Sequence, residues 1–417
     1  MANTYLTRTP SSAGNRKTFT LSFWIKRGVL SSQQHIAYAS GYTEIRFTSD
    51  DKTMFRNAGG NFGLSDAVFR DTSAWYHIVY AIDTTQATES NRIKLYVNGE
   101  QFTVTTFPTL NFDFAWNNNL EHQIGASAGA EFFDGSMAHF HNIDGTAYDA
   151  TAFGEYDANG VWKIKTSPSV TYGTNGFFIL KDGNSVTDQS GNSNNFTVGG
   201  GTLTKTEDNP SNVFCTMNPL DKSGGTVTTF LNGNTTTMHN AGNNGAVTAA
   251  RSTLGYSSGK WYWETKCIAT GGDVRTGIIS MSSSDYVTNT NPYYNNECYN
   301  YKQTGQKGSS GDTNVSYGAT YTAGDIIGIA HDADNGSLTF YKNGVSQGVA
   351  FSGLNTSLFW GAFSTEYNQG KYSYNFGNGY FGTTAVASAG TNASGNGIFE
   401  FNVPTGYTAL STKGLNL

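Results

Sequence analysis

A chain of 417 residues is long enough for two or three domains, with only 13% charged residues against 14% aromatic. The formal net charge is −6 and the 25 basic residues are scattered, so the basic stripe expected of a nucleic-acid partner is missing. No apolar run approaches a membrane span, and three widely spaced cysteines (Cys215, Cys267, Cys298) exclude a disulfide framework or a zinc cluster and fit reduced thiols.

The stretch MANTYLTRTPSSAGNRK lacks the apolar core of a secretory signal. TFTLSFWIKR (18–27) then alternates, with Phe19, Leu21, Phe23 and Ile25 on one face. WYHIVYAID (75–83) carries bulk on both faces, which predicts a central strand. LYVNGEQFTV (95–104) pivots on Asn98-Gly99, two residues that accept the positive φ of a primed hairpin turn. FFDGSMAHFHNIDG (132–145) reads as a long strand ending in a turn. The one helical turn expected lies in TAYDATAFG (146–154), with Asp149 as its cap.

A polar, glycine-rich run puts a boundary near 199–210. Beyond it KWYWETKCIA (260–269), VRTGIISM (274–281), GDIIGIAHDAD (324–334), LFWGAFS (358–364) and KYSYNFG (371–377) are strands again. FYKNGVSQGVAF (340–351), pivoting on Asn343-Gly344, is the twin of the first hairpin. Abundant glycine (50 residues), scarce proline (7) and short strands between turns predict an all-β protein of two tandem antiparallel β-sandwiches, spanning 1–205 and 206–417.

YLTRTPSSAGNRKTFTLSFWIKR (5–27), VFRDTSAWYHIVYAIDTT (68–85), FDGSMAHFHNIDG (133–145) and FGEYDANGVW (153–162) resemble laminin-G-like, concanavalin A-like jelly rolls in tail and virion proteins of marine bacteriophages. DQSGNSNNFT (188–197) and DNPSNVFCTMNPL (208–220) continue that likeness into the junction. GKWYWE (259–264), GDIIGIAHDADNGSLTFYKNGVSQGVAF (324–351) and FNVPTGYTALSTKGL (401–415) are similar to a SPRY domain. The resemblance implies a protein of the virion, assembled in the host cytoplasm, that meets other virion proteins, forms a homo-oligomer and touches a host-surface glycan or receptor. A strand candidate already at Tyr5, without heptads or collagen-like repeats, implies a chain held by a folded face or a partner rather than by an arm of its own.

Some concanavalin A-like folds are glycanases and carry Glu-x-Asp-x-x-Glu on one strand, so that two carboxylates face one cleft. The nearest stretch here, Glu155-Tyr156-Asp157, lacks the last carboxylate, and the chain is read as non-enzymatic. His139 and His141, at i and i+2, are expected to share a strand face and read as packed histidines more than as metal ligands. Asp188 and Asn192, in DQSGNSN, offer oxygen ligands for calcium, the one cofactor considered; Asx-turns explain the same composition.

The expected recognition surface is the tyrosine- and asparagine-rich stretch 285–302, through Tyr293, Tyr294, Asn295, Asn296, Tyr299 and Tyr301. Tyrosine gives contact area at low entropic cost and asparagine adapts its hydrogen bonds. Trp116, followed by Asn117-Asn118-Asn119, is a second loop of the same character. Adhesion to the host surface leads; a purely structural decoration or connector protein is the alternative, and a polysaccharide depolymerase the third.

Overall fold

The computed structural model describes residues 3–58, 60–181, 185–223, 228–240, 247–283, 297–309 and 314–416. The chain divides into two compact units, Met1–Lys205 and Thr206–Leu417. Among the described residues the regular structure is strand, apart from three-residue 3-10 turns. One of these, Ala150–Ala152, is capped by Asp149, which accepts the amide of Thr151 at 2.9 Å.

The first unit is a two-layer antiparallel sandwich. One layer has seven strands, in the order Thr197–Gly200, Tyr5–Arg8, His122–Ile124, Gln34–Ala39, Thr43–Phe47, Thr53–Asn57 and Gly60–Phe62. The other has six: Phe177–Ile179, Gly135–Asp144, Thr18–Arg27, Tyr76–Asp83, Ile93–Val97 and Glu100–Phe102. Phe19, Leu21, Phe23 and Ile25 meet Ile78, Tyr80 and Ile82 in the core, as the two-residue alternation dictates. Tyr76–Asp83 lies between Thr18–Arg27 and Ile93–Val97, and the outward-facing Ser22, Trp24, His77 and Val79 are also buried. The segment that follows the long Gly135–Asp144 strand covers them: Tyr148 donates its amide to Thr20 Oγ1 at 2.7 Å, and the Trp162 indole reaches His77.

The second unit repeats the plan. Its first layer runs Met217–Ser223, Thr248–Tyr256, Trp360–Glu366, Arg275–Ser280, Cys298–Lys302, Gln306–Gly308 and Val315–Ser316. Its second runs Thr228–Leu231, Thr236–His239, Lys371–Asn375, Lys260–Ala269, Ile326–Asp332, Ser337–Lys342 and Val345–Phe351, with Thr408–Ala409 added in parallel beside Lys260–Ala269. Val345–Phe351 is an outermost strand, and three of its carbonyls accept side-chain donors. Tyr317 Oη donates to Gly348 O, Lys307 Nζ to Ala350 O, and Gln347 Nε2 to Val345 O.

The twin hairpins are built alike. Asn98 and Gly99 have φ of 48° and 88°, Asn343 and Gly344 of 48° and 79°, the primed geometry that their sequence demands. Asn98 Oδ1 accepts the amide of His77 and Asn343 Oδ1 that of Ile326, both at 2.8 Å, so each turn caps the neighbouring strand. An aromatic ring closes over each glycine: a Cβ on Gly99 would lie 2.5 Å from Trp162, and one on Gly344 2.6 Å from Phe401. Only glycine satisfies both the backbone and the contact.

Candidate functional site

Tyr293, Tyr294, Asn295 and Asn296 lie outside the described residues. Tyr299 and Tyr301 stand on Cys298–Lys302, in register with Ile278 and Thr276, and so point between the sheets rather than outward. Tyr301 is fully buried: its hydroxyl donates to Ala319 O, and its ring lies 5.3 Å from those of Tyr317, Tyr321 and Phe340. It is a core residue, which corrects its expected place on a recognition surface. Tyr299 is half-buried, 5.0 Å from Phe351 and 5.8 Å from Trp360.

Trp116 is corrected in the same way. It is 1% exposed, and its indole donates to Asn142 Oδ1 at 3.1 Å. Asn117, at φ 62°, donates its side-chain amide to Asn15 O and accepts from Asn142 Nδ2 at 2.8 Å. Its backbone amide donates to His122 Nε2, and burial holds His122 neutral, its pKa down at about 4. The asparagine run stitches neighbouring loops together.

The DQSGNSN loop is likewise an internal staple, not a calcium cradle. Asp188 Oδ1 accepts the amides of Phe178 and Ser190, and Oδ2 accepts Ser190 Oγ and the amide of Asn194, at 2.8–2.9 Å. Asn192 Nδ2 donates to the carbonyls of Gly173 and Gly176. With both carboxylate oxygens taken, the ligands that a hard cation needs are spent on the backbone. Among the described residues no three His, Cys, Asp or Glu groups converge as a metal site.

His139 and His141 are packed histidines, as expected: their rings lie 6.3 Å apart and both meet Phe178. A bulge interrupts the register between Ala138 and His141, and His139 takes a φ of 49°. His141 stacks on Phe178 at 3.9 Å and meets Tyr172 Oη at 3.0 Å, its pKa held well below 6.5 by burial. Glu155 is exposed, 3.9 Å from Lys165 Nζ. Asp157 Oδ1 accepts the amides of Asn159 and Val161 in the hairpin turn, so it organises the turn.

One pair went unnoticed in the sequence. Ser22 Oγ lies 2.9 Å from His77 Nε2, a nucleophile–base spacing. The Trp162 indole, which can only donate, points at His77 Nδ1 at 3.0 Å. Nε2 must therefore carry the proton and donate it to the serine. Burial pushes the His77 pKa down to about 3, and Trp24 stacks at 4.8 Å. This imidazole has no lone pair with which to take the serine proton.

Two buried carboxylates in the second unit are also structural. Glu264 accepts the amides of Glu400 and Phe401 at 2.8 and 2.9 Å, the Tyr262 hydroxyl at 3.2 Å and Asn375 Nδ2 at 3.4 Å. Burial outweighs these donors and pushes its pKa up to about 7. It fixes the C-terminal segment where Phe399, Val403 and Ala409 pack on Tyr262 and Ala330. Glu366, buried and pushed up to about 6, accepts from Thr237, Ser364 and Tyr374.

The surface offers a different kind of place at the margin of the first sandwich. Asp66, Ala67, Gln101, Phe102 and Thr103 line an open depression there. Its two walls are far apart in sequence, so no motif announces it.

Residues 2–151 match the concanavalin A-like lectin/glucanases superfamily, and residues 260–379 the SPRY domain. The chain carries a laminin-G, concanavalin A-like domain followed by a SPRY domain. Both are typically binding modules. The Ran-binding proteins 9/10 homolog of Drosophila melanogaster is 33% identical over 104 residues, covering 25% of this chain and 11% of its own length. Ran-binding protein 9 of Danio rerio is 34% identical over 102 residues, 24% of this chain and 17% of its own. The chain thus spans less than a fifth of these relatives. Among solved structures, the SPRY domain of human HERC1 is 18% identical, covering 38% of this chain and 96% of its own, at a TM-score of 0.32.

Proposed function

We propose that this chain is a bacteriophage virion protein, displayed as a tail fibre or surface appendage, that binds a host-surface glycan or receptor during adsorption. The observation that carries the reading is the tandem of two binding modules, one of them of a lectin/glucanase superfamily. Consistent with binding rather than hydrolysis, the buried Ser22–His77 pair holds its proton the wrong way round, and Asp157 spends one carboxylate oxygen on its own turn. The protein would assemble in the host cytoplasm, pack against other virion proteins as a homo-oligomer, and bind weakly per copy but tightly as an array.

A decoration or connector role is the second reading, favoured by the burial of Tyr301 and Trp116, which removes two residues from the expected recognition surface. Purified protein added to host cells tests the choice: adhesion predicts that it binds cells and blocks phage adsorption. A protein that binds no cells but saturates empty capsids or tails at fixed stoichiometry is a decoration protein. Shortening of host polysaccharide, abolished by Glu155→Gln, would establish a depolymerase instead.

A further inference from the structure

We propose that Asn159 is a site of spontaneous covalent modification, where the backbone nitrogen of Gly160 displaces the side-chain amide and the residue becomes isoaspartate or aspartate, ahead of every other described Asn-Gly pair. The inference is independent of the adhesion reading. An asparagine followed by glycine can cyclise because no Cβ on the next residue shields the attacking amide nitrogen. Solvent base removes the Gly160 amide proton, the nitrogen bonds to Asn159 Cγ, the Cγ–Nδ2 bond breaks and ammonia leaves. Water then opens the five-membered imide. Opening at the backbone carbonyl routes the main chain through the side-chain carbon and gives isoaspartate; opening at the side-chain carbonyl gives aspartate. Nothing is oxidised or reduced, and water is the one co-reactant.

Eight Asn-Gly pairs lie among the described residues, and seven are held. Asn98 and Asn343 spend Oδ1 on the neighbouring strand, and their glycines lie under Trp162 and Phe401. Asn335 Nδ2 donates to Asp332 Oδ2 at 2.8 Å, and a Cβ on Gly336 would lie 2.3 Å from Leu354 O. Asn232 Nδ2 donates to Thr236 Oγ1 at 3.2 Å. Asn175, Asn378 and Asn396 are buried. A side chain engaged in this way cannot swing its Cγ onto the next nitrogen without first losing its contacts.

Asn159 differs on each count. It is exposed, its side chain makes no hydrogen bond with the described residues, and nothing lies within 4 Å of where a Cβ on Gly160 would be. The attacking nitrogen has one tie, the Gly160 amide donating to Asp157 O at 3.0 Å. That bond sits at the tip of an exposed turn and opens locally with little else to break. The product matters to the turn. Asp157 Oδ1 accepts the Asn159 and Val161 amides, so a carboxylate made at 159 sets a second negative charge beside it. Isoaspartate also lengthens the turn that sets Tyr156 against Trp162, the ring that roofs Gly99.

Ageing of the full chain in mildly alkaline buffer, followed by peptide mass mapping, tests the site. Cleavage after Glu155 and after Lys163 frees the peptide 156–163, in which Asn159 is the sole asparagine. In the folded chain, conversion at Asn159 should run at least about fivefold ahead of Asn98, Asn335 and Asn343 and should quicken as the pH rises. In urea, where no fold protects any pair, that lead should vanish. Isoaspartyl methyltransferase with labelled S-adenosylmethionine should label the 156–163 peptide of the aged chain and not that of fresh protein. A folded chain in which Asn98, Asn335 or Asn343 converts as fast as Asn159, or a lead that persists unchanged in urea, overturns the proposal. An aged peptide that gains the acid but takes no label has been hydrolysed directly, which overturns the cyclisation by Gly160.

Discussion

Two backbone amides, an asparagine NH2 and a tyrosine hydroxyl converge on Glu264, and of these only the hydroxyl can also accept, which makes its chemistry hard to replace. A glutamine there would aim an NH2 at groups that also donate and leave part of the Glu400–Phe401 backbone without an acceptor. Glu264→Gln should destabilise the second unit by about 2–3 kcal/mol in urea unfolding. Hydrogen exchange at residues 399–403 should rise with it. The sign with pH follows from the raised pKa. Between the usual 4.5 and about 7 the folded state binds this proton more tightly than the unfolded chain. The contribution of Glu264 is therefore fully present below 4.5 and is lost as the pH rises through about 7. The variant should lack that slope.

At the scale of elements, the two Asn-Gly hairpins make a matched experiment. Asparagine supplies both a tolerated positive φ and the acceptor that caps the next strand. Asn98→Ala loses both and should cost about 2 kcal/mol; Asn98→Gly loses only the acceptor and should cost about 1 kcal/mol. Asn343 should give the same order in the second unit, read from chemical denaturation. These hairpins were legible because turn chemistry is local, and the Phe19–Ile25 alternation because its period is short. Asparagine-rich loops misled because a loop that binds a ligand and a loop that staples its neighbours need the same residues; Trp116-Asn117 and Asp188–Asn194 do the second. The bulge at His139 was not legible, because a bulge leaves no signature in the residues that form it. Tyr301 is at the parity of a surface residue or of a core residue, depending on which strand it pairs with. The depression at Asp66 and Gln101 joins positions that only the closed sandwich brings together.

For the whole molecule, the buried titratable groups are distributed unequally between the units. In the first, burial holds His77 at about 3, His122 at about 4 and His141 well below 6.5, so their neutral forms favour folding above 6.5 and that stability is lost as the pH falls through those values. In the second, His331 acts in the same direction, but Glu264 and Glu366 act against it between 4.5 and about 7. Scanning calorimetry should show two transitions. On acidification from pH 7 to 5 the first unit's should fall, and the second unit's should hold or rise; a common downward shift would contradict the assignment. The side chains of Tyr317 and Lys307 that meet carbonyls of the outermost strand Val345–Phe351 have a consequence of another sort. A layer rich in Val, Thr and Tyr would ordinarily recruit a neighbour's backbone when copies are crowded side by side. With two carbonyls of that margin already engaged, a neighbour's strand finds fewer partners there, and copies set in a dense array are less prone to zipper into fibrils.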